Sequence, residues 1–209
     1  MNRPEDPRFT ENPFAASRVR PGAVPFLFAP GQSAALLVDR LCGAGWWGQI
    51  VGPHGSGKST LLAALTAEIR QAGRTVTLVE LHDGQRRLPR ELQRPDAIVA
   101  QGVLIIDGYE QLGRLARWVL KRRCRQRDCG LVVTAHGPVG LPELFRTTVS
   151  LESAQRVVGH LQRGKPPHVA ERDVAEPFAR HGQNLREILF ELYDLYEFRQ
   201  QKTDGSSGL

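Results

Sequence analysis

"GPHGSGKST", residues 52–60, sets Gly52 four residues ahead of Gly57, Lys58 and Ser59 and so meets the spacing G-x-x-x-x-G-K-[ST] at every required position. Glycines at 52, 55 and 57 allow backbone conformations and close approaches that a Cβ would deny, so successive N–H groups can turn inward on one anion. A helix opening near Lys58 adds the positive end of its dipole at the same point. Lys58 then supplies a cation for the β and γ phosphates of a nucleotide, and Ser59 a hydroxyl ligand for Mg2+. Pro53, His54, Gly55, Ser56 and Thr60 complete the candidate nucleotide-contacting set by position, although a histidine in the variable part of such a loop is more often just a loop residue.

The flanks supply the context that this pattern needs. "WWGQIVG" (46–52) reads as a short buried strand running into the loop. Leu61, Leu62, Leu65 and Ile69 recur at helical spacing after it and mark an amphipathic helix ending near Gly73. "TVTLVEL" (75–81), "GVLIIDG" (102–108) and "GLVVTAHG" (130–137) are further apolar runs, and "TTVSLE" (147–152) reads as a fifth strand. Continuous apolar strands alternating with helices suit a parallel sheet covered on both faces. The expected fold is therefore α/β, three layers around a mainly parallel five-stranded sheet, followed by a small C-terminal helical lid.

Boundaries follow from composition. Residues 1–33 hold six of the 14 prolines, which disfavours regular helix or central strand and predicts an irregular arm packed by Phe14, Phe26, Leu27 and Phe28. A helix is expected over about 32–43, the core over 34–152, the helical lid over 153–200, and a flexible polar tail over 201–209. The chain has 209 residues, 41% of them hydrophobic, enough for one sizeable core. No apolar run reads as a signal peptide or a membrane span, so a soluble cytoplasmic protein is expected. Cys42, Cys124 and Cys129 lack metal-ligand spacing and read as reduced thiols.

Asp107 closes the strand "VLIID", at the sheet edge where ligands of such folds bind, and is the candidate for organising Mg2+ together with Ser59. Its alternative is an ordinary Asp-Gly turn. With strand-loop-helix, "LIIDG" and "LVVTAH" in this order, residues 10–200 resemble the additional-strand P-loop NTPases, in particular the AAA+ and NACHT/STAND-like ATPases. The opening "ENPF" and the helix after it are similar to the N-terminal segment of bacterial AAA+ ATPases used in secretion and transposition. The resemblance implies ATP as ligand. It also implies that Thr134 is a polar sensor of the γ phosphate or attacking water, that Arg186 in "GQNLREI" is a second sensor on the lid helix, and that Arg146 is a finger reaching a neighbouring subunit's nucleotide. For each, an ordinary strand or surface role stays open. Asn184 and Glu187 form an N-x-x-E capping arrangement that independently places Arg186 in a first helical turn.

One departure matters. ATPases of this branch place a glutamate directly after the metal-organising aspartate, where this chain has Gly108. "DGYEQ" resembles the spaced-acid form of NACHT-like proteins, with Glu110 as the substitute. Spacing alone does not decide whether Glu110 reaches the water, so three functions stand: a Mg-dependent AAA+-like ATPase that couples nucleotide state to conformational change on nucleic acid, an ATP-dependent switch with little or no hydrolysis, and a small-molecule kinase.

The net charge of +6 and isoelectric point near 9.7 favour polyanionic partners. Between residues 114 and 127 there is no acid, and helical spacing sets Leu112, Leu115, Ala116 and Val119 inward against an outer stripe of Arg114, Arg117, Lys121 and Arg125. Arg123 breaks that pattern, and Trp118 lies near the basic face, where it would stack on a base. A phosphate backbone fits the stripe, as does a merely solvated face. Arg86, Arg87, Arg90 and Arg94 form a second basic patch. A homo-oligomer or protein partner is compatible with the same resemblance.

Overall fold

The computed structural model of the chain describes residues 12–82, 84–94, 97–164 and 168–206. In order these form α1 (Ala16–Val19), α2 (Ala34–Gly43), β1 (Trp47–Val51), α3 (Lys58–Gln71), β2 (Val76–Glu80), α4 (Arg90–Gln93), β3 (Val103–Asp107), α5 (Arg114–Gln126), β4 (Gly130–Ala135), β5 (Glu143–Arg146), α6 (Leu151–Leu161), α7 (Ala175–His181) and α8 (Leu185–Ser206). The chain divides into two compact units, one of residues 28–148 and one combining 1–27 with 149–209.

In the first unit the strands pair in parallel in the order β2-β3-β4-β1-β5. Strand β4 thus separates β1, which leads into the phosphate loop, from β3, which ends on Asp107. β1, β3 and β4 are buried along almost their whole length, because helices cover both faces of a parallel sheet. Leu104, Ile106, Leu131 and Val133 share one core cluster with Leu120, Cys124 and Tyr109. All three cysteines are free thiols.

The fifth strand lies four residues earlier than its sequence suggests. β5 is Glu143–Arg146, and Leu151 already opens α6. The cause is a cap: the Ser150 hydroxyl accepts from the Ser153 amide at 3.1 Å while Ser153 Oγ accepts from the Ser150 amide at 2.9 Å. Two free first-turn amides are satisfied there, so "SLE" is committed to helix despite its apolar alternation. Thr147 still donates its amide to Val51 O at 2.8 Å, carrying one more rung beyond the strand.

Helix α5 also departs from the expected faces. Leu120 and Cys124 are buried, whereas Leu115, expected inward, is 74% exposed; Trp118, expected near the basic face, is exposed. Arg123, which breaks the pattern, is tied to another segment: its Nη1 donates to Leu92 O at 2.8 Å and Gln93 O at 3.1 Å. These two carbonyls terminate the α4 segment, a partner that periodicity within α5 does not reveal.

The second unit is helical. Phe14, Val158, Ile188, Leu192 and Tyr196 are its fully buried centre, with Phe14 packed edge-on to Tyr196 at 6.1 Å. The N-terminal segment contains the short α1 between Pro13 and Pro21, and Asn12 Nδ2 donates to Tyr193 O and to Glu197 Oε1. Asp173 takes both guanidinium nitrogens of Arg199, at 2.5 and 3.0 Å. Residues 201–206, expected as flexible tail, continue α8; residues 207–209 of that tail lie outside the described residues, as do 1–11 of the expected arm. Among the described residues no helix is long and apolar enough to cross a membrane.

Candidate functional site

Backbone geometry builds the loop. Gly55 and Gly57 hold φ of +66° and +92°, in the left-handed region that disfavours a Cβ, and Gly57 is the residue immediately before α3. Gly52 is required by crowding instead. A Cβ there would stand 1.9 Å from Thr147 Oγ1 and 2.7 Å from Thr147 O. Ser56 Oγ lies 2.6 Å from Thr147 Oγ1 and donates to Pro53 O at 2.8 Å, which ties the loop internally and to the chain after β5. The sequence marks Thr147 only as the start of the expected fifth strand, whereas it follows β5.

Lys58 reaches back across the loop, its Nζ donating to Gly52 O at 2.8 Å and Pro53 O at 2.7 Å. Burial holds its pKa below the ordinary lysine value, while Glu110 and Asp107 pull in the opposite direction by favouring the ammonium. Both carboxylates therefore act on the mouth of the loop.

Opposite the loop, Asp107 is held by two hydroxyls. Ser59 Oγ donates to Oδ2 at 2.6 Å, and Thr134 Oγ1 donates to Oδ1. Thr134 is fully buried and its oxygen also accepts from the Gly108 amide at 2.9 Å. The hydroxyl that the family resemblance makes a phosphate sensor is thus engaged with Asp107 and the amide of Gly108.

Gly108 has φ +82°, and a Cβ there would meet Leu81 O at 2.9 Å. A glutamate at this position would be strained, and the left-handed residue turns the chain into the 3-10 turn Tyr109–Gln111, which carries Glu110. Glu110 Oε1 lies 3.1 Å from His136 Nδ1, just past the end of β4. His136 in turn contacts His54 of the loop, ring centroids 3.7 Å apart. This link between loop, turn and β4 is invisible to spacing rules, because its members stand 26 and 82 residues apart.

The remaining candidates lie elsewhere. Arg146, in register with Val51, is half exposed and ion-paired with Glu143. Arg186 sits in the first turn of α8 in the helical unit, where Asn184 Oδ1 accepts from the Glu187 amide at 3.4 Å. Of the basic stripe, Arg114 and Arg125 are exposed, but Arg117 is turned inward: Nε donates to Leu112 O and Nη2 to Glu110 O, both at 2.7 Å, and the guanidinium covers the Tyr109 ring. Lys121 is partly buried, which lowers its pKa, as do Arg125 and Arg117. Exposed Arg122 lies 5.6 Å over Trp118. Arg86, Arg87, Arg90 and Arg94 are all exposed.

A five-stranded parallel sheet with an extra strand between the loop strand and the aspartate strand defines the additional-strand P-loop fold of AAA+ type. Solved structures share it. A Drosophila ORC bound to DNA superposes with TM-score 0.64 at 14% identity, covering 97% of this chain and 64% of that one. Cdc6p from Pyrobaculum aerophilum gives 0.64 at 13%, covering 91% and 66%. AMPPCP-bound DnaA from Aquifex aeolicus gives 0.57 at 14%, covering 87% and 67%. The chain thus spans about two thirds of the length of these structures. No protein-family model and no curated protein matches it.

Proposed function

We propose that this protein binds and hydrolyses ATP with Mg2+, and that nucleotide state drives a conformational change used on nucleic acid. The observation that carries the reading is the meeting of Lys58, Ser59 and Asp107 at the loop, with Glu110 linked to it through His136 and His54, on a fold shared with an AMPPCP-bound protein. The glycine cradle fits a triphosphate: its amides and Lys58 would hold the β and γ phosphates, with Lys58 exchanging its loop carbonyls for phosphate oxygens. The donor set fits magnesium. Ser59 and Asp107 are hard oxygen ligands, and among the described residues no group of three His, Cys, Asp or Glu would cage a metal unaided. Magnesium suits such a site because it keeps waters and takes phosphate oxygens, and when bound it neutralises charge on the phosphates.

In this reading Thr134 positions Asp107, and Glu110 accepts a proton from the water whose oxygen bonds to the γ phosphorus as the bond to the departing diphosphate breaks. Arg146 and Arg186 are assigned to a neighbour's nucleotide and to sensing from the lid. Exposed Arg114, Arg122 and Arg125, with Arg122 lying over Trp118 and Arg125 over Trp47, support a nucleic-acid surface, and one fold neighbour is bound to DNA.

A second reading has its own observation. The strained position of Gly108 excludes an acid directly after Asp107, which favours an ATP-dependent switch with little turnover. Phosphate release with Mg-ATP, measured with and without DNA over a range of protein concentration, separates the two. The ATPase reading expects turnover that Glu110→Gln lowers about a hundred-fold or more. Tight ATP binding with no phosphate released would establish the switch.

A further inference from the structure

A carboxylate that takes a proton from water must present one oxygen and hold it still. Glu110 has that arrangement. Its Oε1 faces His136 Nδ1 at 3.1 Å, while Oε2 is buried and has no hydrogen-bond partner among the described residues. A buried carboxylate oxygen left unpaired is costly, and such orphans mark sites where a ligand or water completes the set. The backbone of Glu110 is anchored separately, by Arg117 Nη2 on its carbonyl.

His136 is itself held. The His54 ring packs on it at 3.7 Å between centroids and 45° between planes, so the imidazole is braced by the variable part of the phosphate loop. Sequence spacing gave His54 only a place in the candidate nucleotide-contacting set and left His136 unassigned.

We propose that His136 is a positioning residue for Glu110: its Nδ1 fixes Oε1 so that Oε2 is presented to the attacking water, and His54 steadies the ring from the loop. The inference rests on the proposed role of Glu110. It needs no charged histidine, since a neutral imidazole with its proton on Nδ1 makes the same bond. The arrangement also ties the base to the phosphate loop, so a change in the loop on filling would be felt by the base through His54.

The test uses the full chain. ATP affinity is measured by calorimetry and phosphate release at saturating Mg-ATP for wild type, His136→Ala, His136→Asn, His136→Gln and Glu110→Gln. An asparagine amide nitrogen falls near the place of Nδ1, whereas a glutamine amide reaches towards the place of Nε2. Loss of the positioning contact is expected to lower kcat about ten- to a hundred-fold in His136→Ala and His136→Gln, with ATP affinity kept within about three-fold. His136→Asn should keep kcat within about three-fold of wild type, because it restores the donor that positions the base. A wild-type kcat in His136→Ala, with Glu110→Gln slow, would overturn the positioning role and leave Glu110 in place. Equal losses in the alanine and asparagine variants would overturn it too, reducing His136 to a packing residue. Wild-type turnover in Glu110→Gln would remove Glu110 as the base, and with it the positioning role of His136, while leaving ATP hydrolysis itself standing.

Discussion

The phosphate loop and helix α5 are the two segments whose chemistry stands out most in the sequence, and the structure treats them differently. In the loop the groups proposed to hold phosphate are backbone amides, positioned by glycines at φ +66° and +92°, so residue type and spacing nearly determine geometry. In α5 the groups proposed to meet nucleic acid are long side chains, and the partners of several belong to other segments. Arg117 is spent on the carbonyls of Glu110 and Leu112, Arg123 on those of Leu92 and Gln93, and Leu115, an expected core residue, faces solvent. A pattern is informative where the backbone carries the function, and ambiguous where a side chain can choose among neighbours.

Three changes would break or sharpen that contrast. The largest effect is expected at Gly52, because an added Cβ collides with backbone as well as with a side chain. Gly52→Ala should cost about 3 kcal/mol of stability in denaturant unfolding. A loss under about 0.5 kcal/mol, the range of ordinary surface changes, would show that the loop is less tightly specified than its contacts imply.

Within α5, a salt series of single-stranded oligonucleotide binding should separate exposed from engaged arginines. Arg114→Ala and Arg125→Ala should each reduce the salt slope by about one, while Arg117→Ala leaves it unchanged. A fall for Arg117→Ala equal to the others would restore the uniform stripe read from sequence.

The smallest effect concerns the helical unit. Hydrogen bonds from Arg199, aided by the Ala170 amide and against the cost of burial, hold the Asp173 carboxyl below its ordinary value of 3.8. A lowered folded pKa gives stability that is present above the unfolded value and lost as pH falls through the folded one. Asp173→Asn should therefore cost about 1 kcal/mol at neutral pH, a deficit that shrinks as pH drops below that of an ordinary carboxylate. A deficit that stays constant down to strong acid would assign the loss to packing.

Much of the core was legible for the same reason as the loop. "VLII" (103–106) and "LVV" (131–133) are apolar without a polar break, inside strands of five and six residues that are buried along almost their whole length. The fifth strand was misplaced because "TTVSLE" has strand alternation, yet Ser150 and Ser153 cap each other and win the segment for helix. Asn12 was unreadable for a physical reason: its partner carbonyl is 181 residues away, and no local propensity registers it. At the site, Lys58 and Ser59 follow from motif spacing, and Asp107 from its place at the end of an apolar strand. Thr147, His136 and the inward turn of Arg117 follow only from the fold, which brings distant segments to one loop.

The central claim is that the 52–60 loop grips a triphosphate through its amides and Lys58. Calorimetry of the full chain with ATP and Mg2+, beside Lys58→Ala, tests it most directly. The account predicts binding that Lys58→Ala weakens about a hundred-fold or more, consistent with the loss of a buried charge contact to phosphate. No heat of binding for the wild-type chain, or equal affinity in the variant, would contradict it.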